Sequence, residues 1–296
     1  MSHRLSLATW LAVTCAMAAP LARGASLSDF ADFSFRSGAT NLLPGRLYIP
    51  PAAVSDPATP RPLILFLHGA GESGTNNAAQ VNGNIDNLLA EAKRRSAFLY
   101  APQTNGGWGS TTILDRVKSM IDLALTTHPV EPTRLYATGL SMGGGGTWNV
   151  LNRYSDFFAA GVPICAVSPA TGYAAGNLLD DSIWAFHAID DGTVSNQTSR
   201  NVINGILAAG RQPTPAYLMP PVTTDFAFVS PALDLRYTEY RTGGHGIWGR
   251  VYNTPAMYQW MFSHTTAVPE PGSILGLSLA AMVISRVGRR HVAAAA

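Results

Sequence analysis

An apolar run at 134–138 leads into Gly139-Leu140-Ser141-Met142-Gly143, and an amphipathic stretch at 143–154 follows directly. A strand, a tight turn and a helix in that order leave the chain few options, because the turn has to reverse direction within a few residues. The pattern is GxSxG. A serine hydroxyl is a poor nucleophile unless it is held at the tip of such a turn, open to a base and to backbone N–H donors. The glycines two residues to either side make the turn possible, since a Cβ there would meet the neighbouring strand or helix. GxSxG also arises by chance in Gly-rich loops. The rest of the chain therefore has to supply a base, an acid and a second backbone donor if Ser141 is a nucleophile.

Short apolar runs at 62–67, 97–101, 134–138, 159–165, 183–188 and 235–240 read as strands, with helices at 84–95, 112–127, 143–154, 196–209 and 254–263. Alternation of this kind predicts a mostly parallel central sheet flanked by helices on both faces. Chemistry in such a sheet sits at the carboxyl ends of the strands. The Pro-rich stretch 211–234 shows no clear periodicity and reads as a long loop or small excursion.

Both ends read as processing signals. His3 and Arg4 precede an apolar, small-residue stretch at 5–19, which predicts a secretory signal peptide over 1–24; cleavage after Ala18 or after Gly24 satisfies the small-x-small pattern. At the other end, Val268-Pro269-Glu270-Pro271-Gly272-Ser273 is followed by an apolar segment at 274–284 and then by Arg286, Arg289 and Arg290. This tripartite segment, 268–296, resembles the PEP-CTERM sorting signal. The resemblance implies retention in the inner membrane with the arginines on the cytoplasmic side, processing by an exosortase-type enzyme, and a protein body exported to the periplasm, the cell surface or beyond. An ordinary membrane anchor is the alternative. Residues 25–267 remain as one folded domain.

Charged residues make up 13% of the chain and the net charge is +2, so no nucleic-acid surface is expected. The two cysteines are Cys15 and Cys165. Cys165 is left alone once the leader is gone, and with no basic neighbour in sequence it is expected simply to pack.

Folds built on this elbow place an acid and then a histidine after the serine. The run 183–188 is followed by Asp190 and Asp191, either of which can serve; Asp180 and Asp181 stand at the opposite end of the same strand. Of the later histidines, His187 lies within a strand ahead of the acid, His264 follows the last helix and His291 is in the tail. His245, in Gly243-Gly244-His245-Gly246, directly follows the run 235–240 and is the expected base. A tetrahedral intermediate also needs donors for its oxyanion. One expected donor is the N–H of Met142. The other is the N–H of Ala70 or Gly71, in His68-Gly69-Ala70-Gly71-Glu72, a loop that resembles the HGGG-type loop of esterases. His68 is expected to brace that loop, with Glu72 pinning it from behind. Trp108 and Trp248 are candidate substrate contacts, with simple packing of Trp108 as the alternative.

His68-Gly69-Ala70-Gly71-Glu72, Ala101-Pro102-Gln103, Gly139 to Gly144, Arg153-Tyr154-Ser155-Asp156-Phe157-Phe158, Val162-Pro163-Ile164-Cys165 and Gly244-His245 with Trp248 together resemble the secreted phospholipase/carboxylesterase-like branch of the α/β-hydrolases, near polyhydroxybutyrate depolymerases and feruloyl esterases. The resemblance implies an α/β-hydrolase fold and a metal-free serine esterase without cofactor, acting on a small or polymeric ester. Related esterases often carry Asp-x-x-Val-Pro. Asp191-Gly192-Thr193-Val194-Ser195 fits that pattern with serine in the proline slot, which favours Asp191 over Asp190. Two departures stand out: Ala188 replaces the usual glycine, and the excursion at 211–234 is longer than the family's connection. A prolyl-oligopeptidase-type peptidase is the rival hydrolase, and a non-catalytic matrix protein on the same fold is the rival outside enzymes. The latter would normally have lost a triad residue, and none is missing.

Overall fold

A computed structural model describes residues 24–267. The expected leader, apart from Gly24, and the expected sorting segment lie outside the described residues. The strands are β1 (Ala31–Asp32), β2 (Phe35–Ser37), β3 (Thr40–Leu43), β4 (Gly45–Tyr48), β5 (Arg61–Leu67), β6 (Phe98–Pro102), β7 (Val130–Leu140), β8 (Ala160–Ile164), β9 (Ile183–Ala188), β10 (Phe226–Ser230) and β11 (Leu235–Tyr240). The helices are α1 (Pro51–Ser55), α2 (Asp86–Arg94), α3 (Thr111–Thr127), α4 (Met142–Arg153), α5 (Gln197–Ala209), α6 (Trp248–Val251) and α7 (Pro255–Phe262).

Nine strands form one sheet in the order β1-β4-β6-β5-β7-β8-β9-β11-β10, while β2 and β3 pair separately. The six strands from β6 to β11 in that order run parallel, and antiparallel strands close both edges. The central strands are apolar without alternation because both faces are covered. Along β5, Leu63, Leu65 and Leu67 enter the core under α3, α4 and α5, whereas Ile64 and Phe66 enter the core under α2 and α7. β5 pairs with β6 on one side and β7 on the other. The chain order reverses there, and the carboxyl ends of the strands open a crevice at such a point.

The expected central strands and helices all form. β7 is longer than predicted and runs back to Val130, which pairs with Arg61 across a register shift. The excursion contains an unpredicted edge strand, β10, whose Phe226 and Phe228 lean inward while Ala227 and Val229 face out. Among the described residues no helix is long and apolar enough to cross a membrane.

Candidate active site

Ser141 sits between β7 and α4 with φ 55° and ψ −117°. An L-residue held there stores roughly 1–3 kcal/mol of strain, which the surroundings must enforce. They do so by close packing. A Cβ on Gly143 would stand 1.9 Å from the Leu67 carbonyl oxygen, and one on Gly139 would stand 2.3 Å from that of Gly143. The Ser141 N–H donates to the Ile164 carbonyl at 2.9 Å, tying the turn to the end of β8.

Three strand ends then converge. Ser141 Oγ lies 2.8 Å from His245 Nε2, and His245 Nδ1 lies 2.8 Å from Asp191 Oδ2. A carboxylate only accepts, so Nδ1 carries the hydrogen and Nε2 is free to accept the serine proton. His245 rides on a short turn, Gly244–Gly246, after β11, and keeps partial exposure, with 20% of its side chain accessible. The Asp191 side chain is buried. Its other oxygen accepts the N–H groups of Thr193 and Val194, both at 2.9 Å. Burial pushes the Asp191 carboxyl up, but the hydrogen bonds from His245, Val194 and Thr193 outweigh it and hold the group below the usual carboxylate range. Asp190, the alternative acid, bonds the histidine's loop and not its ring. Its carboxylate accepts the N–H groups of Gly243 and Gly244, at 3.2 and 2.8 Å, and so anchors the loop that carries His245.

The Met142 N–H opens α4, where the first turn has no intrahelical acceptor. The loop with Ala70 and Gly71 forms a tight turn, Ala70–Glu72, beside it. A Cβ on Gly69 would lie 2.7 Å from Leu140 Cδ1, so this loop packs on the residue preceding the serine. His68 braces it: Nδ1 donates to the Gly69 carbonyl at 2.7 Å and Nε2 accepts the Thr104 N–H at 3.1 Å. Burial lowers the pKa of His68, favouring the neutral ring that this pairing requires. Glu72 accepts from Asn84, and Asn84 accepts from the Trp248 indole N–H at 2.9 Å. The Trp248 ring meets His245 edge to face, with centroids 5.5 Å apart. Glu72 and Trp248 thus strap the 68–72 loop to the histidine loop.

Trp108 is a correction. It does not present a face to a ligand: the side chain is 2% exposed, donates to the His68 carbonyl at 3.0 Å and packs on the His68 ring. An indole with its N–H satisfied inward gains more from burial than from lining a pocket. Cys165 also has more to do than fill space. The thiol is buried and hydrogen-bonds Asp191; burial first, then the Asp191 charge and that hydrogen bond, push it well above the ordinary thiol range. Cys165, Asp191 and His245 have ligand atoms within 4.8 Å of one another, the one such metal-competent group among the described residues. A protonated thiol and an Asp–His pair already joined by a proton are poor donors to a cation. Sequence reasoning passed over Asn84 and Ser199, and it set His187 aside as a base without seeing its place beside the acid, although it stands four residues before Asp191.

No family profile matches the chain. Among solved structures, it is similar to a thermostable esterase at 30% identity and a TM-score of 0.66, over 81% of this chain and 64% of that one. The chain thus spans somewhat less than two thirds of that esterase's length. It also resembles the acetyl xylan esterase from Aspergillus awamori, at 13% identity and a TM-score of 0.56 over 73% of this chain and 93% of that one. Dipeptidyl peptidase 4 of Porphyromonas gingivalis is similar at 16% identity and a TM-score of 0.55, over 79% of this chain and 35% of that one. At these lower identities the likeness is one of fold, and with the sheet order it establishes the α/β-hydrolase fold.

Proposed function

We propose that the chain is a serine hydrolase that cleaves a carboxylic ester through an acyl-enzyme intermediate. The observation that carries this reading is the unbroken hydrogen-bonded series Ser141, His245, Asp191 at the ends of β7, β11 and β9, with the serine on a strained elbow. His245 removes the serine proton as Oγ attacks the ester carbonyl and returns it to the leaving alkoxide. Asp191 keeps the Nδ1–H tautomer and stabilises the imidazolium that forms in between. The Met142 N–H and that of Ala70 or Gly71 stabilise the oxyanion, and Trp248 borders the site beside the base. A water, activated by His245, then releases the acid. Turnover of short-chain p-nitrophenyl esters beside peptide p-nitroanilides tests this. Ester turnover lost in Ser141→Ala supports it; peptide turnover without ester turnover would instead favour the peptidase.

A polymeric substrate, an acylated polysaccharide or a polyester, is the more specific form of this reading. The acetyl xylan esterase among the similar folds, by its name an esterase of xylan, motivates it, as does the sorting-type end. Release of free acid from acylated exopolysaccharide, followed by chromatography, tests it. For the ends we infer export by the segment 1–24, inner-membrane retention by 274–284 with Arg286, Arg289 and Arg290 on the cytoplasmic side, and exosortase-type removal of the tail. Mass spectrometry of the mature protein decides the last step: a chain intact to Ala296 would leave only a membrane anchor.

A further inference from the structure

A second imidazole lies beside the triad carboxylate. His245 Nδ1 lies 2.8 Å from Asp191 Oδ2, and His187 Nε2 lies 3.3 Å from the same oxygen. His187 belongs to β9 and its side chain is fully buried. Its ring has one orientation and one tautomer open to it. Nε2 lies 3.0 Å from the Val194 carbonyl as well as near Asp191, and both of these only accept, so Nε2 carries the hydrogen. Nδ1 is then bare and accepts the Ser199 hydroxyl of α5 at 2.7 Å. Burial lowers the pKa of His187, against the pull of Val194, Asp191 and Glu239, so the ring is favoured neutral.

We propose, resting on the esterase reading above, that His187 is a positioning residue of the reaction: its Nε2–H, donated to the Val194 carbonyl, sits 3.3 Å from Asp191 Oδ2, where its positive dipole limits the carboxylate's rotation and draws on the charge that Asp191 offers to His245. The backbone donors of Thr193 and Val194 fix only Oδ1. Rotation of the carboxylate about that anchored oxygen is limited by what surrounds Oδ2, the His245 hydrogen bond at 2.8 Å and His187 Nε2 at 3.3 Å. His187 cannot turn away from Oδ2, because the Ser199 hydroxyl holds its Nδ1 and the Val194 carbonyl its Nε2.

The same contact sets a charge balance. A positive dipole close to Oδ2 draws on the carboxylate charge and weakens its hold on the imidazolium of His245. Removing His187 therefore leaves Asp191 less well oriented yet a stronger partner for the protonated base. The other titratable groups facing this cluster are Cys165 against Asp191, and Glu239 on the adjoining strand, opposite His187 and held by Arg200 at 2.6 Å. Asp190 next to the acid is committed to the Gly243 and Gly244 N–H groups.

The test compares full-length wild type with His187→Leu, His187→Gln and Ser199→Ala, counting active sites with a fluorophosphonate and following p-nitrophenyl acetate across pH. His187→Leu is expected to lower kcat per titrated site by about tenfold with KM little changed, since the loss concerns orientation and not binding. The acid limb of its kcat/KM profile is expected to move up by about half a pH unit, because the freed carboxylate favours the protonated base. His187→Gln, whose amide N–H reaches the same point, restores most of both, and Ser199→Ala shows a smaller shift in the same direction. A His187→Leu protein whose kcat per titrated site and acid limb match wild type overturns the inference. So does one that merely has fewer titratable sites. If His187→Leu does not fold, an acid limb unmoved in Ser199→Ala overturns it equally. A wild-type chain that the fluorophosphonate does not label overturns the hydrolase reading itself, and this inference with it.

Discussion

Asp190 and Asp191 are neighbours in sequence with the same side chain, yet one touches the imidazole and the other holds the loop beneath it. The backbone turn after β9 aims adjacent side chains in different directions, and only one of them lies in line with Nδ1. Asp191→Asn is therefore expected to lower ester kcat by about four orders of magnitude, as loss of the correct histidine tautomer does in serine hydrolases. Asp190→Asn should stay within about tenfold of wild type, because the amide oxygen still accepts from one of the two N–H groups, Gly243 or Gly244, and the residue does not touch the imidazole. Stopped-flow or steady-state rates on one ester compare the two, and the reverse order would make Asp190 the acid. Ser141→Ala and His245→Ala should each abolish turnover, and the double variant should cost little more, since the members act as a unit. Trp108→Ala tests the opposite kind of residue. It is expected to lose about 3–5 kcal/mol of stability, read by denaturant unfolding, as burial of a large ring implies. The candidate serine and histidine were legible because chain order and strand ends restrict them; the acid was narrowed by the same rule only to Asp190 or Asp191. Which face an aromatic in the 103–111 loop turns to solvent was not, because that depends on the His68 ring waiting beneath it.

At the scale of elements, α4 and β5 show how close approach shapes a sequence. Helix α4 opens with Gly143 to Gly146, a run that costs helix propensity at every position. The compensation is contact: the start of the helix lies against the backbone at the end of β5, which sets the serine beside the 68–72 loop. Gly143→Ala places a Cβ 1.9 Å from a main-chain oxygen that cannot move aside. It is expected to lower the melting temperature by several degrees or more, through about 1–3 kcal/mol or greater of strain, and to take activity with it. Gly106→Ala, with nothing within 4 Å of the added carbon, is the control and should be nearly neutral. Thermal unfolding of the pair measures the difference. The central strands were readable because burial on both faces writes them as unbroken apolar runs. β10 was not, since its period-two pattern spans only Phe226 to Ser230 and follows a string of prolines; what makes it a strand is the open edge of β11 beside it.

For the molecule as a whole, pH-dependent stability exposes what burial costs. Asp181 is 3% exposed, at the end of β9 away from the site, and neither carboxylate oxygen has a well-formed partner. Burial, then the charges of Asp156 and Asp180, raise its pKa to about 8, with the Asp156 N–H pulling the other way. The folded-state value lies above the unfolded one. The group is therefore harmless below the ordinary carboxylate pKa and destabilises the fold increasingly as pH rises from there towards 8. Asp181→Asn is expected to stabilise the protein at neutral pH by on the order of 1–3 kcal/mol, with the gain fading on acidification. Melting curves across pH check this, and a gain independent of pH would rule out ionisation as its cause. The buried histidines act in the opposite sense: His68 and His187 have lowered pKa values, so the unfolded chain takes up protons first as pH falls below the ordinary imidazole value and stability drops with it. The sequence by itself determined the sheet, its flanking helices and the order of serine, acid and base, because strand and helix periods and the glycines of a sharp turn are local requirements written residue by residue. Only the tertiary structure decided which aspartate meets His245, that Trp108 turns inward and that His187, Cys165 and Ser199 gather behind the acid. Those are questions of direction in space between segments dozens of residues apart, and no local pattern encodes them.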